Sequence, residues 1–378
     1  MFNSNSAASY NVAEGYEALY NNTADNNVAI GASALYRNTI GSYNVAVGYD
    51  ALYSNVEAGQ NVAVGYEALY TQSYSGYTAN TAIGYAALYS NQPTSDGNRM
   101  SNTAVGAAAL VGNTTGYDNT AVGLAAMYEN QTGIQNTAMG EYALYFSNAS
   151  GCVANGFSAL GSNITGNYNT ANGYSALGYT TSGTFNVADG ANGLLTNTTG
   201  SSNSAIGMNA LRNINGSRNT ACGDSAGYND NGGYYNTYIG YQANTGASSS
   251  LANAIAIGYG ATVLYSNSAV VGNSNLTTFG IGAGAYAVPV QVNSAISGTV
   301  VSNGSQMLLL TGSAIGVLTI TDPSSPKDGQ LWEITTNQSS TPLAYTNPSN
   351  FVSAPTSVGA NNPVRFFYSA SLSLWVNQ

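Results

Sequence analysis

The chain contains no histidine, and only 6% of its 378 residues are charged. Without histidine it can form neither a Ser-His-Asp or Cys-His catalytic group nor a metal site with histidine ligands. Its single lysine, Lys327, falls in a predicted turn, which argues against Schiff-base chemistry. Six scattered basic residues against 16 acidic ones give a net charge of −10, so we expect no nucleic-acid partner.

Long apolar runs are also missing. No stretch of about 18 apolar residues occurs, so we expect no membrane span. The first residues have neither a basic region nor an apolar core, unlike a secretory signal. Two alternatives follow: the protein leaves its cell by lysis as part of a virion, or a leader precedes this sequence.

One short phrase is abundant and recurs up to about residue 272. Residues 44–53 return almost unchanged at 61–70 and at 80–89, and the commonest spacing is 17 residues. A unit of this length is too short for a helical hairpin or for a core of its own, so it must stack on its neighbours. Sixteen glycines anchor the units: Gly15, Gly31, Gly48, Gly65, Gly84, Gly106, Gly123, Gly140, Gly156, Gly173, Gly190, Gly207, Gly223, Gly240, Gly258 and Gly272.

The residues around each glycine are short, apolar and often β-branched, which favours strands over helices. We predict an all-β fold, a parallel β-roll or β-solenoid of about 16 coils. Each coil is expected to contain two short strands, one ending at the glycine and one in the Ala-Leu-Tyr segment after it. At a strand spacing of roughly 4.8 Å the coils would form a rod of roughly 75 Å.

Asparagine stands four residues before the glycine in thirteen of the first fourteen units, and Cys152 is the exception. Stacked asparagines can hydrogen-bond along the solenoid as a ladder. The predicted ladder includes Asn27, Asn44, Asn61, Asn80, Asn102, Asn119 and Asn136.

Apolar residues occupy both faces of the first strand, with Ala46 on one face and Val45 and Val47 on the other. One face can fill the interior of the roll, and the other needs a second apolar surface. We therefore expect a homotrimer, with a monomeric solenoid as the alternative.

The position before the glycine is polar in three consecutive units, at Asn155, Asn172 and Asp189. If this position points inward in a trimer, buried polar rings would need partners. One hypothesis is a structural ion on the trimer axis. The alternative is that this face is exposed to water at these coils. Otherwise we expect no cofactor and no metal.

The two cysteines, Cys152 and Cys222, are four coils apart. At roughly 19 Å they are too distant for a bridge within one chain. They are expected to be small buried residues or to form a bridge between chains. Asp50 and Glu67 occupy the same position of adjacent coils, which fits either a glycosidase pair or a solvated face.

Tyrosines follow many of the glycines, as at Tyr49, Tyr66 and Tyr85. Such outward rows could stack on a sugar or pack between coils. Trp375, near the C-terminus, is a further candidate glycan contact, whereas Trp332 fits a core.

Composition divides the chain into an N-terminal docking segment (1–10), a repeat shaft (11–272), a connector (273–299) and a C-terminal β-domain (300–378). The last segment contains strand-like runs around residues 307–310, 316–320, 330–334 and 365–368, with a turn at 322–329. We predict a small antiparallel β-sandwich or knob.

Two families resemble this pattern. The phrases at residues 203–207 and 267–272 resemble the head repeats of trimeric autotransporter adhesins, which imply left-handed parallel β-rolls in homotrimers that bind host surfaces. The repeat period here is longer than in that family. The fuller phrase is similar to repeats of bacteriophage tail fibres, and residues 317–377 resemble small β-domains that end such fibres.

These resemblances imply a non-enzymatic, homotrimeric tail fibre of a virion. Its expected partners are further copies of itself, a fibre or baseplate protein at the N-terminal end, and a host-surface glycan or protein. An extracellular filament subunit or cell-surface adhesin that stacks end to end is the alternative. A polysaccharide depolymerase is the third hypothesis.

Overall fold

A computed structural model of the protein describes residues 8–72, 76–92, 100–246 and 250–276, with only the backbone at residues 76 and 77. Beyond residue 276 it describes the backbone of ten strand segments. The chain divides into two compact units, Met1–Leu276 and Thr277–Gln378. The described residues form strands and turns and contain no helix, so the prediction of an all-β fold is confirmed for them.

The first unit is a parallel β-solenoid built on the predicted 17-residue period. One sheet contains sixteen strands in chain order, one for each anchoring glycine, and neighbouring strands pair in parallel. They are Val12–Glu14, Val28–Ile30, Val45–Val47, Val62–Val64, Thr81–Ile83, Thr103–Val105, Thr120–Val122, Thr137–Met139, Val153–Asn155, Thr170–Asn172, Val187–Asp189, Ser204–Ile206, Thr220–Cys222, Thr237–Ile239, Ile255–Ile257 and Ala269–Val271.

The register repeats from coil to coil. Alanine lies beside alanine, as Ala46 beside Ala63, so the same residue type forms a continuous row inside the roll. Two further parallel pairs lie outside this sheet: Ala58–Gly59 pairs with Gly76–Tyr77, and Asn244–Thr245 pairs with Thr262–Val263.

The prediction of a second strand in each coil is wrong. Residues of the Ala-Leu-Tyr segment form a turn, because the backbone is left-handed at two positions of every typical coil, as at Asp50 (φ 54°) and Leu52 (φ 51°). The turn still bonds to the next coil, since Leu52 N donates to Ala68 O at 3.0 Å and Ser54 N donates to Tyr70 O at 3.0 Å. Hydrogen bonding between neighbouring coils therefore continues through the turn, beyond the end of the strand.

The core of the solenoid is thin. A typical coil contributes two alanines and one leucine or methionine, all fully buried, as in Ala63, Ala68 and Leu69. The anchoring glycines permit this close packing, because a Cβ on Gly123 (φ +136°) would lie 2.5 Å from the carbonyl oxygen of Gly140. These small side chains fill the roll and leave no room for a larger residue without a compensating change.

The ten strands described in the second unit form two sheets. The six-stranded sheet has the order Val290–Asn293, Gln306–Thr311, Leu331–Thr336, Val364–Ser369, Leu374–Asn377 and Phe351–Val352. The four-stranded sheet has the order Thr299–Val301, Leu318–Thr321, Thr341–Tyr345 and Ser357–Val358.

All four strand-like runs predicted near the C-terminus overlap strands of the second unit. Pairing is mixed, however: Leu331–Thr336 pairs in parallel with Gln306–Thr311 and antiparallel with Val364–Ser369. The purely antiparallel arrangement is therefore wrong for these strands. Val290–Asn293 lies in the predicted connector but pairs with Gln306–Thr311. The predicted turn at 322–329 and residues 1–7 lie outside the described residues.

Candidate functional site

The asparagines four residues before most of the glycines connect one coil to the next, because their side chains bond to backbone groups of the neighbouring coil. The buried side chain of Asn44 accepts a hydrogen bond at its Oδ1 from Asn61 N at 3.0 Å, and its Nδ2 donates to Ala58 O at 2.9 Å. Asn44 N in turn donates to Asn27 Oδ1 at 2.9 Å. This row of amides satisfies backbone groups inside the roll, where an unpaired polar group would be costly.

A second buried row of polar side chains was missed in the sequence analysis. Asn38 Nδ2 donates to Asn22 Oδ1 at 2.6 Å, and Asn55 Nδ2 donates to Asn38 Oδ1 at 2.7 Å. The available signal was the asparagine that stands seven residues after many of the glycines. Both rows are structural and face the interior, so they offer no site to a ligand.

Cys152 replaces an asparagine in the first row and keeps some of the hydrogen bonds that the asparagines make at this position. The thiol donates to Gly166 O at 3.3 Å, and Cys152 N donates to Asn136 Oδ1 at 2.9 Å. Burial raises the pKa of this thiol. Cys222 is exposed, and both cysteines are free, so they form no bridge within the chain.

The three polar residues before consecutive glycines lie side by side on the outer face of the sheet. Asn155 pairs with Asn172 and Asn172 with Asp189 in the strand register. Asn155 Nδ2 donates to Asn172 Oδ1 at 2.9 Å, whereas Asn155 Oδ1 is buried without a protein partner in the described part of the chain. These three side chains do not enter the core of the roll.

Elsewhere the outer face of the same sheet is mixed. Its side chains stand at the first and third residues of each three-residue strand, while the middle alanine points inward. Valine, isoleucine and methionine predominate at the third strand position, whereas eight of the sixteen first positions are threonine or serine. Ten of the large apolar side chains on this face are more than a third exposed: Val12, Ile30, Ile83, Val122, Met139, Val187, Ile206, Ile239, Ile257 and Val271. Exposed apolar side chains that recur along one face are typical of an interaction surface.

Aromatic rings form stacked rows beside this face. The rings of Tyr49, Tyr66 and Tyr85 stack with centroids 5.2 and 5.4 Å apart, and each is about half exposed. A second row runs from Tyr36 to Tyr53 at 5.2 Å. Packing between coils is therefore present in these rows. The Trp375 side chain lies outside the described residues.

The candidate carboxylate pair lies on the solenoid surface. Burial raises the pKa of Asp50, and the neighbouring Glu67 carboxylate raises it further, while a hydrogen bond with Ser33 acts in the opposite direction. The ionised form of Asp50 is thus disfavoured in the folded protein. No group of three or more potential metal-binding residues occurs among the residues described.

We expect Asp50→Asn to raise the free energy of unfolding at neutral pH. Because the folded-state pKa of Asp50 is raised, the penalty exists above that pKa and disappears as the pH falls to the ordinary carboxyl range of about 4. Urea denaturation across pH should therefore give a difference from wild type that shrinks on acidification. Asp118→Asn is the control, since Ser101 and Gln135 hold the equivalent positions of its neighbouring coils. A difference that is constant with pH would contradict the prediction.

One coil has an unusual core. Tyr238 occupies the interior position that is alanine elsewhere, and its hydroxyl donates to Asp230 Oδ2 at 2.8 Å. Asn236 Nδ2 donates to the same oxygen at 2.8 Å, and Gly233 N donates to Asp230 Oδ1 at 2.8 Å. Burial and the Asp230 carboxylate raise the pKa of Tyr238 strongly, so its hydroxyl stays protonated. Gly227, where other coils have leucine, leaves the space that the ring fills.

An open groove of about 430 Å³ lies on the turn side of the solenoid, at the eighth to eleventh repeats. It forms where the tyrosine five residues after the glycine is replaced by Gly161 and then Gly178. The lining residues are Tyr142, Tyr145, Phe146, Phe157, Ser158, Gly161, Ser162, Tyr174, Ser175, Gly178, Tyr179 and Leu195. None belongs to a strand, and none carries a charge at neutral pH.

No protein-family model and no curated protein matches the chain. Within the described ranges, no helix has the length and apolar character needed to cross a membrane.

Proposed function

We propose that this chain is the subunit of a non-enzymatic, homotrimeric fibre that mediates attachment to a host surface, as a tail fibre of a virion does. The observation that carries the proposal is the series of exposed valine, isoleucine and methionine side chains on the outer face of the sixteen-stranded sheet. The resemblance of the repeats to tail fibres and trimeric adhesin heads adds to it.

The case for self-association starts from the strand pattern. In Val45–Val47 and Val62–Val64 the alanine is fully buried, while the valines on the other face remain partly exposed. Valine, isoleucine or methionine recurs at the third position of eleven of the sixteen strands, from Ile30 to Val271, and the polar residues 155, 172 and 189 interrupt the row. Association of identical subunits about a shared axis would cover this face on every copy.

The small core of each protomer also supports self-association. The interior of a coil contains mainly alanine and one larger side chain, so each protomer buries little apolar area per residue. Apolar burial contributes about 25 cal/mol per Å² of surface removed from water. Covering the valine, isoleucine and methionine side chains of the outer face would therefore add stability that the roll alone lacks.

The attachment role rests on surface composition. Stacked aromatic rings stand partly exposed beside the sheet, and aromatic side chains contribute strongly to recognition of partners. The chain has no histidine, and its few carboxylates are scattered, which fits recognition without catalysis. The proposed N-terminal partner is a fibre or baseplate protein.

The mass of the purified protein tests the trimer. A protomer of 38.6 kDa gives 3 × 38.6, or about 116 kDa, for a trimer. We expect light scattering after gel filtration to give the trimer mass. We expect the double variant Val47→Asp and Val64→Asp to lose it, because charges in an apolar interface are costly. Thr132→Asp, in an exposed turn, is the control. A wild-type mass of one protomer would contradict the proposal.

Three further observations discriminate the alternatives. Exposed Cys222 lies on the outer face, so a thiol reagent should modify it slowly in the trimer and rapidly in the dissociated double variant.

An ion held by Asn155, Asn172 and Asp189 would give an anomalous-scattering peak on the trimer axis, and a dry void there would exclude it. Negative-stain images should show discrete short rods, whereas long filaments would favour the end-to-end stacking subunit.

A further inference from the structure

We infer that the groove around Gly161 and Gly178 is a binding site for a neutral oligosaccharide. The inference deepens the proposed attachment function, on which it rests, by assigning a ligand class and a place on the chain. The candidate contacts at Tyr49, Tyr66 and Tyr85 lie in other coils.

The groove results from a local departure from the repeat. In most earlier coils a tyrosine stands five residues after the glycine, and Tyr128 stacks on Tyr145 with ring centroids 5.0 Å apart. The next two coils have glycine at this position, so the row of rings stops at Tyr145. Two missing side chains leave a trough with Tyr145 at one end and Leu195 at the other.

Aromatic rings form the walls and hold each other in place. Phe157 stacks on Tyr174 with centroids 5.3 Å apart, and Tyr142 meets Phe157 edge to face at 5.9 Å. Tyr145 meets Phe146 edge to face at 4.5 Å. Phe157 and Tyr174 remain 40% and 57% exposed, so their surfaces are open to a ligand although neighbouring rings support them.

The polar groups of the groove are hydroxyls. Ser158, Ser162 and Ser175 contribute to the lining and are partly exposed, and Tyr174 and Tyr179 add phenol groups. A sugar ring presents an apolar C–H face that packs on an aromatic ring and hydroxyls at its edge that exchange hydrogen bonds with such groups. A cavity of this volume, mostly apolar with a few polar groups, has the usual character of a ligand site.

Charge selects a neutral ligand. The lining has no acidic or basic side chain, and the chain as a whole carries a net charge of −10. An anionic polymer would be repelled by this field and would find no cation to pair with, and a cation would find no carboxylate in the groove. A neutral oligosaccharide meets neither penalty.

The groove and the outer sheet face are built from different residues. The lining residues of the groove come from the turns after the glycines, whereas the outer face consists of strand residues. Self-association through the sheet and binding in the groove therefore use different residues and can be tested separately.

The test uses the full chain on an array of neutral oligosaccharides built from glucose, galactose, mannose and N-acetylglucosamine. Titration calorimetry with the best-bound oligosaccharide then compares wild type with Gly161→Tyr. That variant restores the tyrosine that other coils carry. A Cβ at residue 161 meets its nearest atom at 3.2 Å, so the new ring should extend the stacked row and fill the trough. Val111→Tyr introduces the same residue at the same repeat position outside the groove and is the control.

We expect at least a tenfold loss of affinity in Gly161→Tyr and in Phe157→Ala, with Val111→Tyr unchanged. Absence of binding to every sugar on the array would overturn the inference, as would equal affinity of wild type and Gly161→Tyr. The latter result would place binding elsewhere and leave the attachment role intact. A monomeric mass would instead contradict the trimer while leaving the groove measurement valid.

Discussion

Gly123→Ala is expected to destabilise the solenoid by about 4 kcal/mol, one of the two largest effects of a single substitution in this chain. The backbone there has φ +136°, a conformation that costs about 1–3 kcal/mol for a residue with a Cβ. The added methyl would also lie 2.5 Å from Gly140 O and 2.6 Å from Gly140 C. Forced overlap of this kind costs about 1–3 kcal/mol more, because a backbone in a stacked coil cannot move aside. Chemical denaturation followed by circular dichroism measures the loss.

Gly193→Ala is the matched control. Residue 193 stands three positions after its anchoring glycine, where most other coils have alanine. An added Cβ would approach Ala188 Cβ and Gly190 O at 3.4 Å, an ordinary contact. We expect this variant to be neutral or slightly more stable, since alanine restricts the unfolded chain more than glycine does. Equal stability losses in the two variants would refute the argument from backbone geometry.

The second large effect is expected from Gly227→Leu, which introduces the leucine that most other coils carry. A Cβ at residue 227 would lie 2.7 Å from Tyr238 Cδ2 and 2.6 Å from Leu211 Cδ2, so leucine and the tyrosine ring cannot both fit. Tyr238→Ala should also destabilise by about 3–5 kcal/mol, through the cavity left by the ring. It also removes one donor to the buried Asp230 carboxylate.

The double variant Gly227→Leu with Tyr238→Ala should be more stable than either single variant, because it recreates the common core. Adding Asp230→Asn, the residue usual at that position, should bring the stability close to wild type. The coupling free energy from the double-mutant cycle is expected to favour the double variant by more than 2 kcal/mol, within the range of about 0.5–3 kcal/mol seen for residues in contact. If the stability losses of the two single variants were additive, a leucine at position 227 and the ring of Tyr238 would not compete for the same space.

Much of the solenoid could be predicted from residues that recur at fixed positions. Glycine, asparagine and alanine identified the period and the strand before each glycine, and their alternation separated the two faces of that strand. The turn after the glycine was mistaken for a strand, because Ala-Leu-Tyr has strand-like side chains. The decisive feature is a left-handed backbone at Leu52 and its equivalents, which leucine disfavours in isolation and accepts here because stacking on both neighbouring coils fixes it.

Features made by departures from the repeat were harder to predict. Gly227 and Tyr238 lie eleven residues apart, and only the folded coil brings the missing leucine and the added ring together. The groove likewise arises from side chains that are absent at Gly161 and Gly178. The polar position at Asn155 was identified, but its direction was not, since only burial of the middle alanine in the folded roll distinguishes the two faces.

Successive coils hydrogen-bond to each other in a common register, so the length of the solenoid can change by whole repeats. The strands at Thr81–Ile83 and Thr103–Val105 keep the common register although 22 residues separate their glycines. Extra residues are thus accommodated without changing the pairing. Duplicating or deleting one Asn-to-Asn unit would lengthen or shorten the shaft by roughly 4.8 Å while every remaining contact recurs. A family of spacers of graded length can therefore arise from this chain without redesign of any coil.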